Sequence, residues 1–175
     1  MPSIKFDDSR IKDYPDKRLL DYTRAYFKTF TDPDPEAMRD FQTKDYTMTD
    51  IPLCIVNVDR DTWYQGNKAF VSMTAETQVV ALSLAGSSAP GSFSIMENAI
   101  SFRLTADPPP GPDKNLPPGA KAGDMVGMIM LSVLWWNNEG KVNRELEYGR
   151  LTWDTFDLSA WDRAKRRGVK GLYRL

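Results

Sequence analysis

The first sustained hydrophobic period begins after Pro15: Leu19, Tyr22, Tyr26 and Phe30 recur at intervals of three and four, which predicts an amphipathic helix opened by the proline. Residues 1–13 before it are charged and aperiodic, and are expected to be a loosely held arm. The repeated Asp-Pro of TDPDPEAM ends this helix and offers Asp34 as cap and Pro35 as first residue of a short second helix reaching Phe41. Tyr46, Met48 and Asp50 then alternate with Asp45, Thr47 and Thr49, the period of a strand, so Asp50 falls on the apolar side before Pro52 stops the pattern. A third helix is expected from about Asp59 to Met73, burying Trp63, Phe70 and Met73, with Gly66 weakening it by about 1 kcal/mol relative to alanine.

After Ala75 the pattern turns to β. Thr77–Leu84, Phe93–Thr105, Met125–Trp136 and Val142–Phe156 are rich in branched, aromatic and methionine residues. Between the second and third of these lies a segment, 106–123, whose prolines exclude helix and sheet and predict a stiffened surface loop. Asn138–Gly140 supplies turn chemistry that pairs the last two strands as a hairpin, and Gly149 is the expected site of a bulge that bends the last one. On Phe93–Thr105 the better apolar face is Met96, Ile100, Phe102 and Leu104, which brings Asn98 inward with them.

The run MVGMIMLSVLWW is apolar on both faces, so both need cover. Met128, Met130, Ser132 and Leu134 are expected to line an interior pocket; Ile129, Leu131, Val133 and Trp135 would pack on a second subunit or on a helix of the same chain. Burying those four side chains contributes on the order of 6–12 kcal/mol before entropy losses, enough to favour a symmetric dimer.

The chain has 175 residues, 41% of them hydrophobic and 27% charged, the size and composition of one globular domain. A net charge of −1 provides no field for nucleic acid, and no apolar stretch is long enough to span a bilayer. With one cysteine, Cys54, and no apolar leader, the expected setting is reducing and cytoplasmic. Histidine is absent altogether, which removes histidine triads and the commonest metal ligand. No phosphate-cradling glycine motif occurs, so neither metal nor cofactor is expected, and acid–base work falls to Asp, Glu, Tyr, Lys or Cys54 with pKa values moved by their surroundings.

The segments MTDIPL, NVDRDTW and WDTFDLSAWDRA, within a helical N-terminal part followed by a curved sheet, resemble limonene-1,2-epoxide hydrolase and, more broadly, the nuclear transport factor 2-like superfamily with its SnoaL-like polyketide cyclases. The resemblance spans roughly Pro15 to Ala164 and implies an α+β fold. The expected form is a cone-shaped α+β barrel, N-terminal helices packed on a strongly curved mixed β-sheet, with an arm over 1–14, the domain over 15–164 and a basic tail over 165–175. It implies Asp154 at the position of the last strand's catalytic aspartate, with Asp50 and Met48 replacing the family's water-holding asparagine and tyrosine. Asn98 and Ile100 stand where the family has the arginine and other aspartate of its epoxide-opening trio, so that trio is incomplete.

The expected activity is cofactor-free isomerisation, cyclisation or dehydration of a small hydrophobic polyketide- or terpenoid-like molecule, in a homodimer that binds neither nucleic acid nor membrane. Asp154 and Asp50 would be acid and base, with Tyr46, Met48, Asn98, Ile100, Phe102, Met128, Met130 and Trp63 around the substrate. Two alternatives stand beside it: a ligand-binding or dimerisation module without catalysis, and epoxide hydrolysis by a rearranged carboxylate set. Asp50 also fits a turn cap before Pro52, and Asp154 fits a pair with Arg144 or Arg150. Glu145 and Glu147 are expected on a solvated face, as reserve candidates.

Overall fold

Asp16 opens the first helix. In the computed structural model, which describes residues 6–32, 34–52, 55–107 and 119–152, its carboxylate accepts the Leu19 amide at 3.0 Å ahead of α1 (Lys17–Thr31). Asp34 accepts from Ala37 at 3.0 Å ahead of α2 (Pro35–Asp40), and Asp59 from Thr62 at 2.8 Å ahead of α3 (Arg60–Met73). Each carboxylate satisfies an amide that has no partner within its helix and sits at the positive end of the helix dipole.

The strands are β1 (Phe6–Asp7), β2 (Gln42–Asp50), β3 (Ile55–Asp59), β4 (Thr74–Gly86), β5 (Phe93–Leu104), β6 (Met125–Trp136) and β7 (Val142–Thr152). They form one sheet in the order β1-β4-β5-β6-β7-β2-β3. β4 to β7 are an antiparallel meander, and the sheet becomes mixed where β1 joins β4 and β2 joins β7 in parallel. α1 lays Leu19, Leu20, Tyr26 and Phe27 into a core shared with Tyr46, Met48, Met96, Leu134 and Trp136. The fold is α+β, helices on a curved mixed sheet, as the hydrophobic pattern and the family resemblance together predicted.

The differences have physical causes. The arm is held from Phe6 onward, because Phe6 pairs with Val79 and stacks on Phe27 at 6.0 Å, and Ile11 is buried. β3 was not expected; the NVDRDTW motif contributes its last residues as strand before Asp59 turns the chain into α3. Gly149 is not a bulge. It pairs in register with Met130, and a Cβ there would meet the Ile129 carbonyl oxygen at 2.4 Å, so glycine serves the close approach of β6 and β7. The register shifts lie between Ala75 and Gln78 and between Ala81 and Ser83 in β4, between Gln42 and Thr47 and between Met48 and Asp50 in β2, and where β7 meets Trp135 and Trp136 of β6, so β7 is irregular at its start and not at Gly149. At the first of these Glu76 adopts a φ of 55°, in the left-handed region.

The hairpin turn is as expected: Asn137 accepts the amides of Glu139 and Lys141 at 2.9 Å, and Gly140 lies so close beneath the Tyr22 ring that a Cβ would come within 2.5 Å of it. On β6, Met128, Met130, Ser132 and Leu134 face inward and are buried, whereas Leu131 on the opposite face is 40% exposed. On β5, Met96, Asn98, Phe102 and Leu104 are buried on the inner side. Most of the proline-rich segment, Cys54, Trp153, Asp154 and the basic tail lie outside the described residues.

Candidate active site

The inner face of β7 carries two buried carboxyls. Glu145 and Glu147, two residues apart, project to the same side and are 2% and 8% exposed, while Tyr148 on the other parity is 50% exposed. This reverses the expectation that the glutamates face solvent. Both parities of β7 carry charge, Glu145 and Glu147 on one, Arg144 and Arg150 on the other, so one charged set must turn inward. A glutamate can take up a proton when buried, and an arginine cannot. Arg144 therefore goes outward, where it lies over the Trp135 ring at 4.5 Å. That asymmetry was present in the sequence as a signal.

β2 runs parallel to β7, with Met48 opposite Glu145 and Asp50 opposite Glu147. Asp50, 2% exposed, therefore sets its carboxyl beside that of Glu147, and the proximity of the two helps to raise Glu147. Glu147 also accepts from Ser132 Oγ at 2.7 Å, and Ser132 accepts from Asn98 Nδ2 at 3.0 Å. Because the serine lone pair receives the amide hydrogen, its own single hydrogen is committed to Glu147 Oε1. Asn98 thus stands behind the glutamate and orients it.

Glu145 lies one step deeper. One oxygen, Oε2, accepts the hydroxyl of Tyr46 at 2.6 Å and the hydroxyl of Tyr26 from α1. Burial pushes the Glu145 carboxyl up from 4.5 to about 7; the two tyrosine donors hold it back, and the charge of Asp50 adds to the rise. Burial raises Glu147 well above the ordinary glutamate range, and the charges of Glu145 and Asp50 raise it further. Both tyrosine hydroxyls are driven well above 10 by burial and by the charge of Glu145, so they remain donors.

A cavity of about 120 Å³ opens against Asp50 and Glu147. Its walls come from α1 (Phe27, Phe30), α3 (Trp63, Asn67, Phe70) and the sheet (Ile55, Thr77, Ile100, Met128, Met130). Of the residues proposed from sequence, Asp50, Trp63, Ile100, Met128 and Met130 line this cavity. Tyr46, Met48, Asn98 and Phe102 are buried but are not among its walls: Tyr46 bonds Glu145, Asn98 bonds Ser132, Met48 belongs to the main core, and Phe102 packs on Phe70 at 5.0 Å. Asp154 lies outside the described residues. Among the described residues no group of three or more His, Cys, Asp or Glu is arranged to hold a metal ion, and no helix is long and apolar enough to cross a membrane.

The arrangement, an apolar cavity in the concave side of a curled sheet under the N-terminal helices, is that of the nuclear transport factor 2-like fold. No family model matches the chain, and no curated protein matches it. Solved structures do. A protein with a ketosteroid isomerase-like fold from Catenulispora acidiphila DSM 44928, in complex with trimethylamine, is 14% identical, with a TM-score of 0.53 over 73% of this chain and 83% of that one. A SnoaL-like polyketide cyclase candidate from Shewanella denitrificans OS-217 is 11% identical, with a TM-score of 0.57 over 85% and 96% of the two chains. SalBIII, an epoxide hydrolase/cyclase-like enzyme with a role in pyran ring formation in the polyether salinomycin, is 14% identical, with a TM-score of 0.52 over 78% and 93%.

Proposed function

We propose that the protein performs cofactor-free acid–base chemistry, an isomerisation, cyclisation or dehydration, on a small hydrophobic molecule, with Asp50 and Glu147 exchanging a proton with it. The observation that carries this reading is the placement of two buried carboxyls, Asp50 and Glu147, side by side at the wall of an otherwise apolar cavity. Two carboxyls that share a site cannot both ionise at ordinary cost, so one is a donor while its neighbour is an acceptor. Ser132 fixes Oε1 of Glu147 as an acceptor, which leaves Oε2 and Asp50 to carry the mobile proton. The structural neighbours named for isomerase-like, cyclase and epoxide hydrolase/cyclase-like proteins lend the same reading support.

The sequence resemblance assigns Asp154 the leading role. In the proposal Asp154 is a third carboxyl whose contribution is tested beside the other two, and epoxide hydrolysis by such a rearranged set belongs to the same test. Products are sought from a panel of epoxides, enones and polyketide-like lactones, with labelled water to detect diol formation. Asp50→Asn and Glu147→Gln are expected to lower turnover by about 10²–10⁴, the usual contribution of a positioned proton-transfer group. Full activity in both variants would sink the assignment. Loss in Asp154→Asn alone would return the role to the last strand.

The second reading is a module that binds a ligand without converting it, favoured by the dominance of apolar walls. Tight binding with unchanged ligand recovered after long incubation would select it. A symmetric dimer through the outer face of β5–β7 goes with either reading. Phe93 and Trp135 pack on that face at 5.8 Å, and Phe93, Leu131 and Tyr148 are 46%, 40% and 50% exposed. Light scattering of the wild type and Leu131→Glu tests it: a dimer converted to monomer is expected, and a wild-type monomer ends it.

A further inference from the structure

Two polar side chains on the cavity wall have nothing to bond. Asn67 on α3 and Thr77 on β4 are 5% and 8% exposed and line the cavity, yet among the described residues no hydrogen bond holds the Asn67 amide or the Thr77 hydroxyl. Nor are these atoms sealed off. The orphaned polar atoms that solvent does not reach belong to other residues, Trp63 Nε1 and Asn98 Oδ1 among them, so those of Asn67 and Thr77 open on the cavity. Buried polar groups in such a position bond either to water or to a ligand.

Their chemistry restricts what that ligand is. The Asn67 amide presents N–H donors and a carbonyl acceptor side by side, and the Thr77 hydroxyl has one hydrogen to donate. A group that meets the amide at both ends carries an acceptor and a donor in the matching order, as the carbonyl and N–H of a lactam do. The lactam oxygen takes the Asn67 Nδ2 hydrogen on one lone pair and the Thr77 hydroxyl on the other, and the lactam N–H goes to Asn67 Oδ1. A ketone leaves Oδ1 without a donor. A carboxylic acid has the same pattern only while protonated; at pH 7 it is ionised, loses its donor and meets Asp50 and Glu147 as a like charge.

The rest of the wall favours a compact ring. Phe27, Phe30 and Phe70 supply aromatic surface, and Met128 and Met130 adapt to irregular apolar shapes. The volume of about 120 Å³ is near the ~150 Å³ of an apolar cavity that takes up benzene, which limits the enclosed part of the ligand to about one ring.

We propose that the cavity recognises a neutral cyclic amide, with Asn67 reading its N–H and carbonyl together and Thr77 completing the carbonyl. The proposal names the ligand class of the site described above and rests on the acid–base reading for its catalytic meaning alone. Recognition is measured as binding without turnover, so the two can fail separately.

The test compares two probes of nearly one shape, 2-piperidone and cyclohexanone, which differ by an N–H in place of a methylene. Dissociation constants come from nuclear magnetic resonance titrations of the full chain at pH 7, in the wild type, Asn67→Leu and Thr77→Val, with folding checked by circular dichroism. Water hydrates the amide better, so a cavity without a partner for its N–H prefers the ketone. The wild type is expected to bind 2-piperidone at least as tightly as cyclohexanone. Asn67→Leu should weaken 2-piperidone by about tenfold or more and cyclohexanone by about threefold or less, which inverts the preference. Thr77→Val should weaken both probes alike, because they share the carbonyl. An Asn67 that only shapes the wall would shift both probes equally in Asn67→Leu. That result, a wild-type preference for cyclohexanone, or no binding of 2-piperidone by the wild type overturns the proposal, and the wild-type comparison stands whether or not the variants fold.

Discussion

Asp50 stands directly opposite Glu147 in the parallel pairing of β2 with β7, and the two carboxyls lie side by side at the wall of the cavity. Parallel neighbours point the same way at each paired position, so this contact is fixed by strand register and not by loop placement. Two consequences concern stability and can be measured before any substrate is known.

Glu147→Gln keeps the shape of the side chain, leaves an oxygen for Ser132 and offers an N–H to Asp50. It removes a carboxyl that burial and neighbouring charge disfavour in ionised form. Its expected effect is stabilisation of about 1–3 kcal/mol at pH 8, falling to less than about 1 kcal/mol at pH 5, where the glutamate is already protonated. Denaturant unfolding at the two pH values measures the difference.

Stability of the wild type should fall as pH rises through neutrality. Glu145 moves from 4.5 to about 7 on folding, and Glu147 moves up as well, so between these values the folded state binds more protons than the unfolded one. The contribution is complete below the unfolded pKa and is lost as pH rises through the folded one; for Glu145 it amounts to about 3 kcal/mol. The melting temperature is expected to decline from about pH 5 to about pH 8. A flat profile would contradict the burial of these two carboxyls.

Tyr26 and Tyr46 hold the same oxygen of Glu145 and stabilise it most when it is charged. Tyr26→Phe and Tyr46→Phe should each cost about 1–3 kcal/mol at pH 8 and less at pH 5. The double variant should depart from additivity, since both hydroxyls serve one acceptor. A double-mutant cycle at each pH provides the comparison.

Gly149→Ala would place a Cβ at 2.4 Å from the Ile129 carbonyl oxygen and 2.8 Å from Met130 Cγ. The backbone contact cannot yield without parting β6 from β7, so a loss on the order of 2 kcal/mol or more is expected. Gly66→Ala in α3 is the contrast: its Cβ would meet only Trp63 Cε3, at 3.9 Å, and a gain of about 0.5–1 kcal/mol in helix propensity is expected. Chemical denaturation of both variants distinguishes the two kinds of glycine.

Strands with one wet and one dry face were legible because alternation reports burial directly. Tyr46, Met48 and Asp50 were placed inward from their period, whereas β6, apolar on both faces, was divided into two faces of which Met128, Met130, Ser132 and Leu134 are the buried one. The start of the second helix was legible from its capping aspartate, Asp34, whereas the first was read from Pro15 and is capped by Asp16. The pair that completes the site was not, because charge was read as exposure: on β7 the inward parity holds Glu145 and Glu147, and the partners that make this tolerable, Tyr26 and Tyr46, are distant in sequence. Bulges were misplaced for a related reason. A glycine marks where a backbone comes close, and at Gly149 that closeness serves a neighbouring strand.

The contacts that build this network are long in sequence: 119 residues separate Tyr26 from Glu145, and 99 separate Tyr46 from it. During synthesis the two tyrosines and Asp50 emerge well before β7, and each must wait as a buried-to-be polar group without its acceptor. The acid pair and its support therefore come into being together, in a late closure step of high loop-entropy cost. A chain stalled before residue 142 has the helices and most of the sheet's strands but lacks Glu145 and Glu147, so the buried carboxyl cluster is completed only when β7 joins the sheet.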